Sequence, residues 1–104
     1  MSEYTIQFNY NKALGQASEL KSIASSLKNI SESSLVSTMN SISKNWTGSN
    51  SDEYVKKGNS LKEKIKHSSD DIYGVAGNLE TMAGNIYRAE MEALRIAQTS
   101  KNKK

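Results

Sequence analysis

The feature that most constrains this chain is a stripe of apolar and small residues that continues, uninterrupted by proline, through most of its second half. Its members are separated by alternating four- and three-residue steps, the spacing that places side chains on one face of an α-helix. The stripe comprises Tyr54, Gly58, Leu61, Ile65, Ser68, Ile72, Val75, Leu79, Met82, Ile86, Ala89, Ala93 and Ile96. A repeat this long is typical of coiled-coil packing, so we predict a helix over residues 52–98.

A second, weaker stripe flanks the first one. It comprises Tyr73, Ala76, Glu80, Ala83, Tyr87, Glu90, Leu94 and Ala97. Two stripes on one helix predict two neighbours, since each apolar face needs its own cover. We expect one seam to meet the first helix of the same chain and the broader adjoining face to meet another chain.

The first half predicts a second long helix over residues 12–46, because apolar residues recur there at three- or four-residue steps. Its serines lower helix propensity, so packing has to hold it. Over residues 1–10, Ile6, Phe8 and Tyr10 alternate with polar residues. We interpret this segment as an extended arm, with Asn9 or Asn11 capping the helix that follows. Residues 99–104 are rich in lysine and predict a flexible basic tail.

The tripeptide Trp46-Thr47-Gly48 lies between the two helical stretches and predicts a reversal over residues 47–51. Trp46 is expected to anchor a helix end in the core, and Gly48 to supply a left-handed backbone conformation. The predicted fold class is all-α: a single domain over 1–104 that forms an antiparallel two-helix hairpin and dimerises into an elongated four-helix bundle. The predicted packing seam is Leu20, Ile23, Leu27, Leu61, Ile65, Ile72, Val75, Leu79, Met82 and Ile86.

The composition argues against an enzyme or a cofactor protein. There is no cysteine, which excludes disulfides, thiolate nucleophiles and cysteine-ligated metals. The single histidine, His67, has no ligand-type residues at metal-binding spacing, and the carboxylates fall on predicted exposed positions. We therefore expect no catalytic residue, no metal and no cofactor.

The net charge of +3 is a mild basic excess that gathers around Lys56 to Lys66 and in the tail. The cluster is interleaved with Glu53 and Glu63 and has no aromatic platform, so we interpret it as a solvated face. We expect no nucleic-acid binding and only weak membrane contact. Since no apolar run is long enough to span a bilayer and the start lacks the order of a secretory signal, we expect synthesis in the cytoplasm without a cleavable signal peptide.

A central tryptophan-x-glycine turn, Trp46-Thr47-Gly48, between two long helices in a cysteine-free chain of 104 residues resembles the WXG family of small type VII secretion proteins, also called early secreted antigen-like proteins. The resemblance covers the whole chain. It implies export, as a folded helical-hairpin homodimer or heterodimer, by a membrane ATPase of actinobacteria and Gram-positive bacteria. The run from Ile86 to Ile96 is similar to the C-terminal part of low-GC Gram-positive members, which favours such a source.

The resemblance also implies an export signal near the end of helix two, a tyrosine followed four residues later by an acid. Here Met91 stands four residues after Tyr87, and acids stand at Glu90 and Glu92. On a helix, a residue three positions on shares the face of the tyrosine. Tyr87 with Glu90 is therefore the candidate export signal, and the other interpretation is an amphipathic tyrosine on a dimer face with a nearby solvated acid.

The predicted function is a secreted substrate or co-secreted partner of a type VII system that acts through helix–helix contact. Its expected partners are a second copy, a related hairpin protein or the N-terminal region of a toxin, together with the secretion ATPase. Alternatives are a dedicated adaptor for a larger secreted toxin and a membrane-active amphipathic protein. A basic nucleic-acid binder is a further alternative, which predicts strongly salt-dependent binding.

Overall fold

The computed structural model describes residues 2–46 and 48–102, and the regular secondary structure in that part of the chain is entirely helical. Helix α1 spans Glu3–Asn29 and passes into a π-helical turn, Ile30–Ser34, and then into helix α2, Leu35–Asn45. Helix α3 spans Ser49–Asn102. The backbone stays right-handed helical at Asn29, Ser34 and Leu35, so the first three elements form one uninterrupted helical arm.

The reversal between the two arms confirms the predicted role of Gly48. The α2 helix ends as Trp46 takes an extended conformation, while the Trp46 N–H still donates to the Ile42 carbonyl at 2.9 Å. Gly48 has a φ of 104°, a conformation that side chains with a Cβ resist. The Gly48 carbonyl then accepts from the Asp52 N–H at 3.3 Å, which begins α3. Thr47, the middle residue of the predicted motif, lies outside the described residues.

The predicted extended arm over residues 1–10 is wrong, because α1 already begins at Glu3. The Ser2 hydroxyl accepts a hydrogen bond from the Thr5 N–H at 3.1 Å and so caps the helix, a role that we had predicted for Asn9 or Asn11. Ile6 and Tyr10 face inward, whereas Phe8 is exposed. Ile6 and Tyr10 are four residues apart, which is a helical spacing, but Phe8 between them makes the pattern look like the two-residue alternation of an extended segment.

The other predicted boundaries need smaller corrections. The α3 helix begins at Ser49 and continues to Asn102, so residues 99–102 are helical and are not a flexible tail. Lys103 and Lys104 lie outside the described residues.

The chain divides into two packing units. Unit 1 combines Met1–Leu20 with Val75–Lys104, and unit 2 is Lys21–Gly74. In unit 2, Ala24 meets Ser69 and Trp46 meets Tyr54, so the arms run antiparallel. In unit 1, Tyr10 meets Tyr87, and one cleft joins Ile6 to residues as late as Ala97, so these segments also run antiparallel. Each unit is therefore an antiparallel pair of helical segments.

Small residues occupy most of the fully buried positions in the described part of the chain. Among the described residues, the buried ones are Ile6, Ala17, Ala24, Ser31, Met39, Ser51, Ser69, Ala76, Ala83 and Gly84. Many are spaced by seven residues, as in a heptad repeat, and small side chains allow two helices to approach closely. The inward face of α3 in unit 1 is thus the weaker of the two predicted stripes, represented by Ala76 and Ala83.

The π-helical turn has a clear cause in this spacing. Ala17, Ala24 and Ser31 are seven residues apart, but the next buried position, Met39, is eight residues after Ser31. A single wide turn at Ile30–Ser34 takes up the additional residue and keeps Met39 on the inner face. Ser31 itself is buried, and its hydroxyl has no hydrogen-bond partner among the described residues.

Candidate functional site

The predicted packing seam does not form the core of the hairpin. Leu20, Leu27, Ile65 and Ile72 are half-buried, and the remaining members are exposed: Ile23, Leu61, Val75, Leu79, Met82 and Ile86. The physical reason is that small residues occupy most of the fully buried positions, so the large apolar side chains of the seam stay half-buried or exposed. Most of the predicted seam is therefore exposed surface.

In unit 1 this surface is a continuous feature of α3. We call it the apolar face, and it consists of Val75, Leu79, Met82, Ile86, Ala89, Ala93 and Ile96. Its five large members are between 37% and 56% exposed. Covering the exposed half of such a side chain contributes roughly 1 kcal/mol. Apolar surface arranged in a helical stripe is the usual form of a helix-docking site.

A groove with two clefts borders the apolar face. One cleft, of about 220 Å³, is lined by Ile6, Glu90, Ala93, Leu94 and Ala97. The other, of about 160 Å³, is lined by Ile6, Asn9, Tyr10, Ala13, Ala83, Ile86, Tyr87 and Glu90. We call the two together the Glu90 groove, because Glu90 and Ile6 line both. Ile86 and Ala93 belong to the groove and to the apolar face, so the two surfaces are continuous.

The two residues of the candidate export signal lie on one side of α3, but they pack inside unit 1. The Tyr87 ring stacks on Tyr10 with 4.6 Å between ring centroids, and Glu90 is half-buried beside Ile6. Oxygen Oε2 of Glu90 is buried and has no hydrogen-bond partner among the described residues. Tyr87 therefore contacts its own chain, and Glu90 is half-buried where the other interpretation has a solvated acid. The place of Tyr87 on a dimer face and its role in export both stay predictions.

The prediction that Trp46 anchors a helix end in the core is wrong. Its side chain is 52% exposed, and its ring packs edge-on against Tyr54 with 5.4 Å between centroids. Both aromatic rings are accessible beside the turn in unit 2. The predicted turn motif therefore presents an exposed aromatic pair at the reversal.

Unit 2 contains specific contacts between its own two segments. The buried Ser69 hydroxyl donates to the Ala24 carbonyl at 2.7 Å. The Lys21 ammonium lies 5.3 Å from the centre of the Tyr73 ring, a cation–π arrangement. A Cβ added at Gly58 would lie 2.8 Å from Cγ of Met39, so only glycine fits there without movement of Met39. These contacts fasten the two segments to each other.

The charged residues form exposed local pairs. Glu92 accepts hydrogen bonds from Arg95, and these bonds hold the pKa of the Glu92 carboxyl below its ordinary value and raise the pKa of Arg95. The Lys57 Nζ atom lies 3.8 Å from Oε1 of Glu53.

His67 is exposed, as are Lys56, Lys57, Lys64 and Lys66. In the described residues there is no group of three or more histidine and acidic side chains that could hold a metal ion.

Within the described ranges, none of the helices combines the length and apolarity that crossing a membrane requires. The sequence pattern did not identify the buried hydroxyl of Ser69 or the buried oxygen Oε2 of Glu90. The signal for both was a row of residues at seven-residue steps, Ser69, Ala76, Ala83 and Glu90.

In comparisons with known proteins, no protein-family model, no curated protein and no solved structure matches this chain.

Proposed function

We propose that the protein is a non-enzymatic helical hairpin that pairs with a second helical hairpin, forms a four-helix bundle, and is exported by a bacterial type VII secretion system. The observation that carries the pairing is the exposed apolar face of α3 in unit 1. In a single chain, Val75, Leu79, Met82 and Ile86 are exposed to water. A second helix that covers them removes this apolar surface from solvent.

A second copy of the chain fits this surface. The apolar face keeps alternating four- and three-residue steps from Val75 to Ile96, which is the spacing of a coiled-coil seam. Two copies related by a two-fold axis bury the same patch on both partners, the commonest symmetry of homodimers. Along the helix the large Met82 and Ile86 are followed by the small Ala89 and Ala93, so in an antiparallel pair the large side chains of one copy have space opposite the small ones of the other.

Support for export comes from the hairpin and its turn. The described chain is a helical hairpin whose reversal contains Trp46 and a left-handed Gly48, as the resemblance to the WXG family implies. The exposed pair of Trp46 and Tyr54 is accessible to a secretion ATPase. In this proposal a pair of hairpins presents the Trp46 turn of one chain near the end of α3 of the other, and the protein leaves the cell of a Gram-positive bacterium.

An export assay tests the proposal. The protein is produced in a Gram-positive host with an active type VII system and in the same host lacking its secretion ATPase, and culture supernatant is compared with cell pellet. We expect the protein in the supernatant only when the ATPase is present. Equal amounts in both supernatants, or retention in both pellets, would contradict export by this route.

Variants of the same protein test the candidate signal. We expect Tyr87→Ala or Glu90→Ala to remain in the pellet while the purified variants keep their helical circular dichroism and their mass in solution. Tyr87→Phe keeps the ring that stacks on Tyr10 and serves as the packing control. Normal export of both alanine variants would remove Tyr87 and Glu90 from the signal.

A further inference from the structure

The π-helical turn Ile30–Ser34 changes the phase of the helical arm that leads to the reversal. Before the turn, the buried residues Ala24 and Ser31 are seven residues apart, and after it Met39 follows Ser31 by eight. One residue corresponds to about 100° of rotation around an α-helix, so an unbroken α-helix would turn Met39 away from this row. The wide turn absorbs the additional residue and restores the row.

The restored phase also decides which residue of this row reaches the reversal. Trp46 stands seven residues after Met39 and therefore continues the row. Without the wide turn, the row from Ser31 would continue through Thr38 and Asn45, which are polar. The wide turn thus replaces two polar residues by a methionine and the tryptophan of the turn motif.

Two contacts within unit 2 show that the row after the wide turn faces α3. Met39 is buried against Gly58, where an added Cβ would lie 2.8 Å from the Met39 Cγ atom. Four residues before Gly58, the Tyr54 ring meets the Trp46 ring edge-on, with 5.4 Å between the centroids. Both contacts depend on the residues that the eight-residue step brings to this face.

We propose that the π-helical turn is a positioning element for the exposed pair of Trp46 and Tyr54, and that its change of phase is its whole contribution to the fold. The turn acts through α2, because the helix transmits the phase to the reversal. It thereby determines the aromatic surface that the reversal presents. This inference goes beyond the proposed export and does not depend on it.

A deletion and an insertion in the wide turn test the proposal. Deletion of Ser33, an exposed residue of the turn, shortens the step from Ser31 to Met39 from eight residues to seven, so an unbroken α-helix keeps the row. One alanine inserted after Ser33 lengthens the step to nine and turns Met39 and Trp46 away from α3. Acrylamide quenching measures the exposure of Trp46, the only tryptophan of the chain. Tyr54→Ala in each background removes the ring that shields it.

We expect the Ser33 deletion to retain the quenching constant of the wild type and to have a thermal midpoint at or above that of the wild type. Tyr54→Ala should raise the quenching constant in both of these backgrounds. The insertion should raise the constant toward that of the urea-denatured chain, and Tyr54→Ala should then add nothing to it.

Deletion of Ser26 is the matched control, because it removes an exposed serine seven residues before Ser33 from a step that is already regular. Either Glu32 then takes the buried place of Ser31, or the residues after the deletion leave the row. Both rearrangements are unfavourable, so we expect the thermal midpoint to fall.

A Ser33 deletion that raises the quenching constant, or that lowers the thermal midpoint as much as the Ser26 deletion does, would overturn the proposal. An insertion variant that keeps wild-type quenching and its response to Tyr54→Ala would also overturn it. If the insertion prevents folding, the Ser33 deletion decides by itself. These measurements use purified protein and leave the supernatant assay unaffected, so failure of the positioning role is distinguishable from failure of the proposed function.

Discussion

The two packing units use their apolar residues differently. Unit 2 fastens its segments with directional or close contacts, including the Ser69–Ala24 hydrogen bond and the fit of Met39 against Gly58. Unit 1 packs small residues and one aromatic stack inward, and it leaves five large apolar side chains of α3 exposed. Unit 2 also exposes large apolar side chains, among them Ile23, Leu61 and Tyr73, but the surface that we propose for pairing is the apolar face of unit 1.

The largest expected effect comes from placing a charge on the apolar face. Ile86→Asp puts a carboxylate at the centre of the proposed interface, where burial without a partner is unfavourable, so we expect pairing to weaken at least about 100-fold. Sedimentation equilibrium measures the dissociation constant. Ile86 is exposed in the single chain, so helical circular dichroism should be retained.

The control for this substitution is Thr81→Asp, which adds the same charge to an exposed position of α3 outside the apolar face. We expect its dissociation constant to stay close to that of the wild type. Comparable weakening by both variants would show that charge alone, and not the apolar face, governs pairing.

Glycine-to-alanine substitutions should change the stability of the two units in opposite directions, by less than the charge on the apolar face changes pairing. Gly58→Ala in unit 2 forces Met39 to move, and we expect a loss of about 1–2 kcal/mol in the free energy of unfolding. Gly77→Ala in unit 1 meets nothing within 4 Å, so we expect a gain of up to about 1 kcal/mol from helix propensity. Urea denaturation measures both. A gain in Gly58→Ala would show that the Met39 contact is not restrictive.

The sequence predicts the helices and the turn of this fold, but it does not predict which face of α3 packs inward. The two long helices, the reversal and the positive φ of Gly48 follow from spacing, the lack of proline and the properties of glycine. The inward face of α3 does not follow from hydrophobicity, because Ala76 and Ala83 are less apolar than Val75 and Leu79. Close helix approach favours the small residues at the contact, and this depends on the tertiary fit and not on transfer free energy.

For the candidate site too, spacing predicts which residues share a helix face but not what that face contacts. The spacing correctly places Tyr87 and Glu90 on one side of the helix, but it cannot say that this side stacks on Tyr10 and lies beside Ile6. Trp46 was expected inside because tryptophan is large and apolar, and the chain beside the turn contains too little surrounding structure to bury it. The eight-residue step from Ser31 to Met39 was readable in the sequence, and it marks the π-helical turn only once both residues are known to be buried.

A smaller effect is expected from the buried hydrogen bond of unit 2. Ser69→Ala removes the donor to the Ala24 carbonyl, and we expect a loss of about 1 kcal/mol in the free energy of unfolding. Ser68→Ala, at an exposed neighbouring position, corrects for the higher helix propensity of alanine. Equal stability of the two variants would mean that the hydrogen bond contributes nothing net.

The smallest effect is expected at the exposed pair of Glu92 and Arg95. Because Arg95 holds the pKa of Glu92 below its ordinary value in the folded chain, the pair contributes stability above the ordinary glutamate pKa. This contribution is lost as pH falls through the lowered pKa. We expect thermal melts of the wild type and Glu92→Gln to differ slightly at neutral pH and to converge in acid, since exposed pairs are strongly screened. A difference that grows in acid would contradict this assignment.

The central claim is that the apolar face of unit 1 is covered by another helical chain. Light scattering on the purified protein at micromolar concentration tests it most directly, and the account predicts a mass twice that of the 11.5 kDa chain. A mass of 11.5 kDa that persists as concentration rises would contradict the account, because the apolar face would then remain exposed to water.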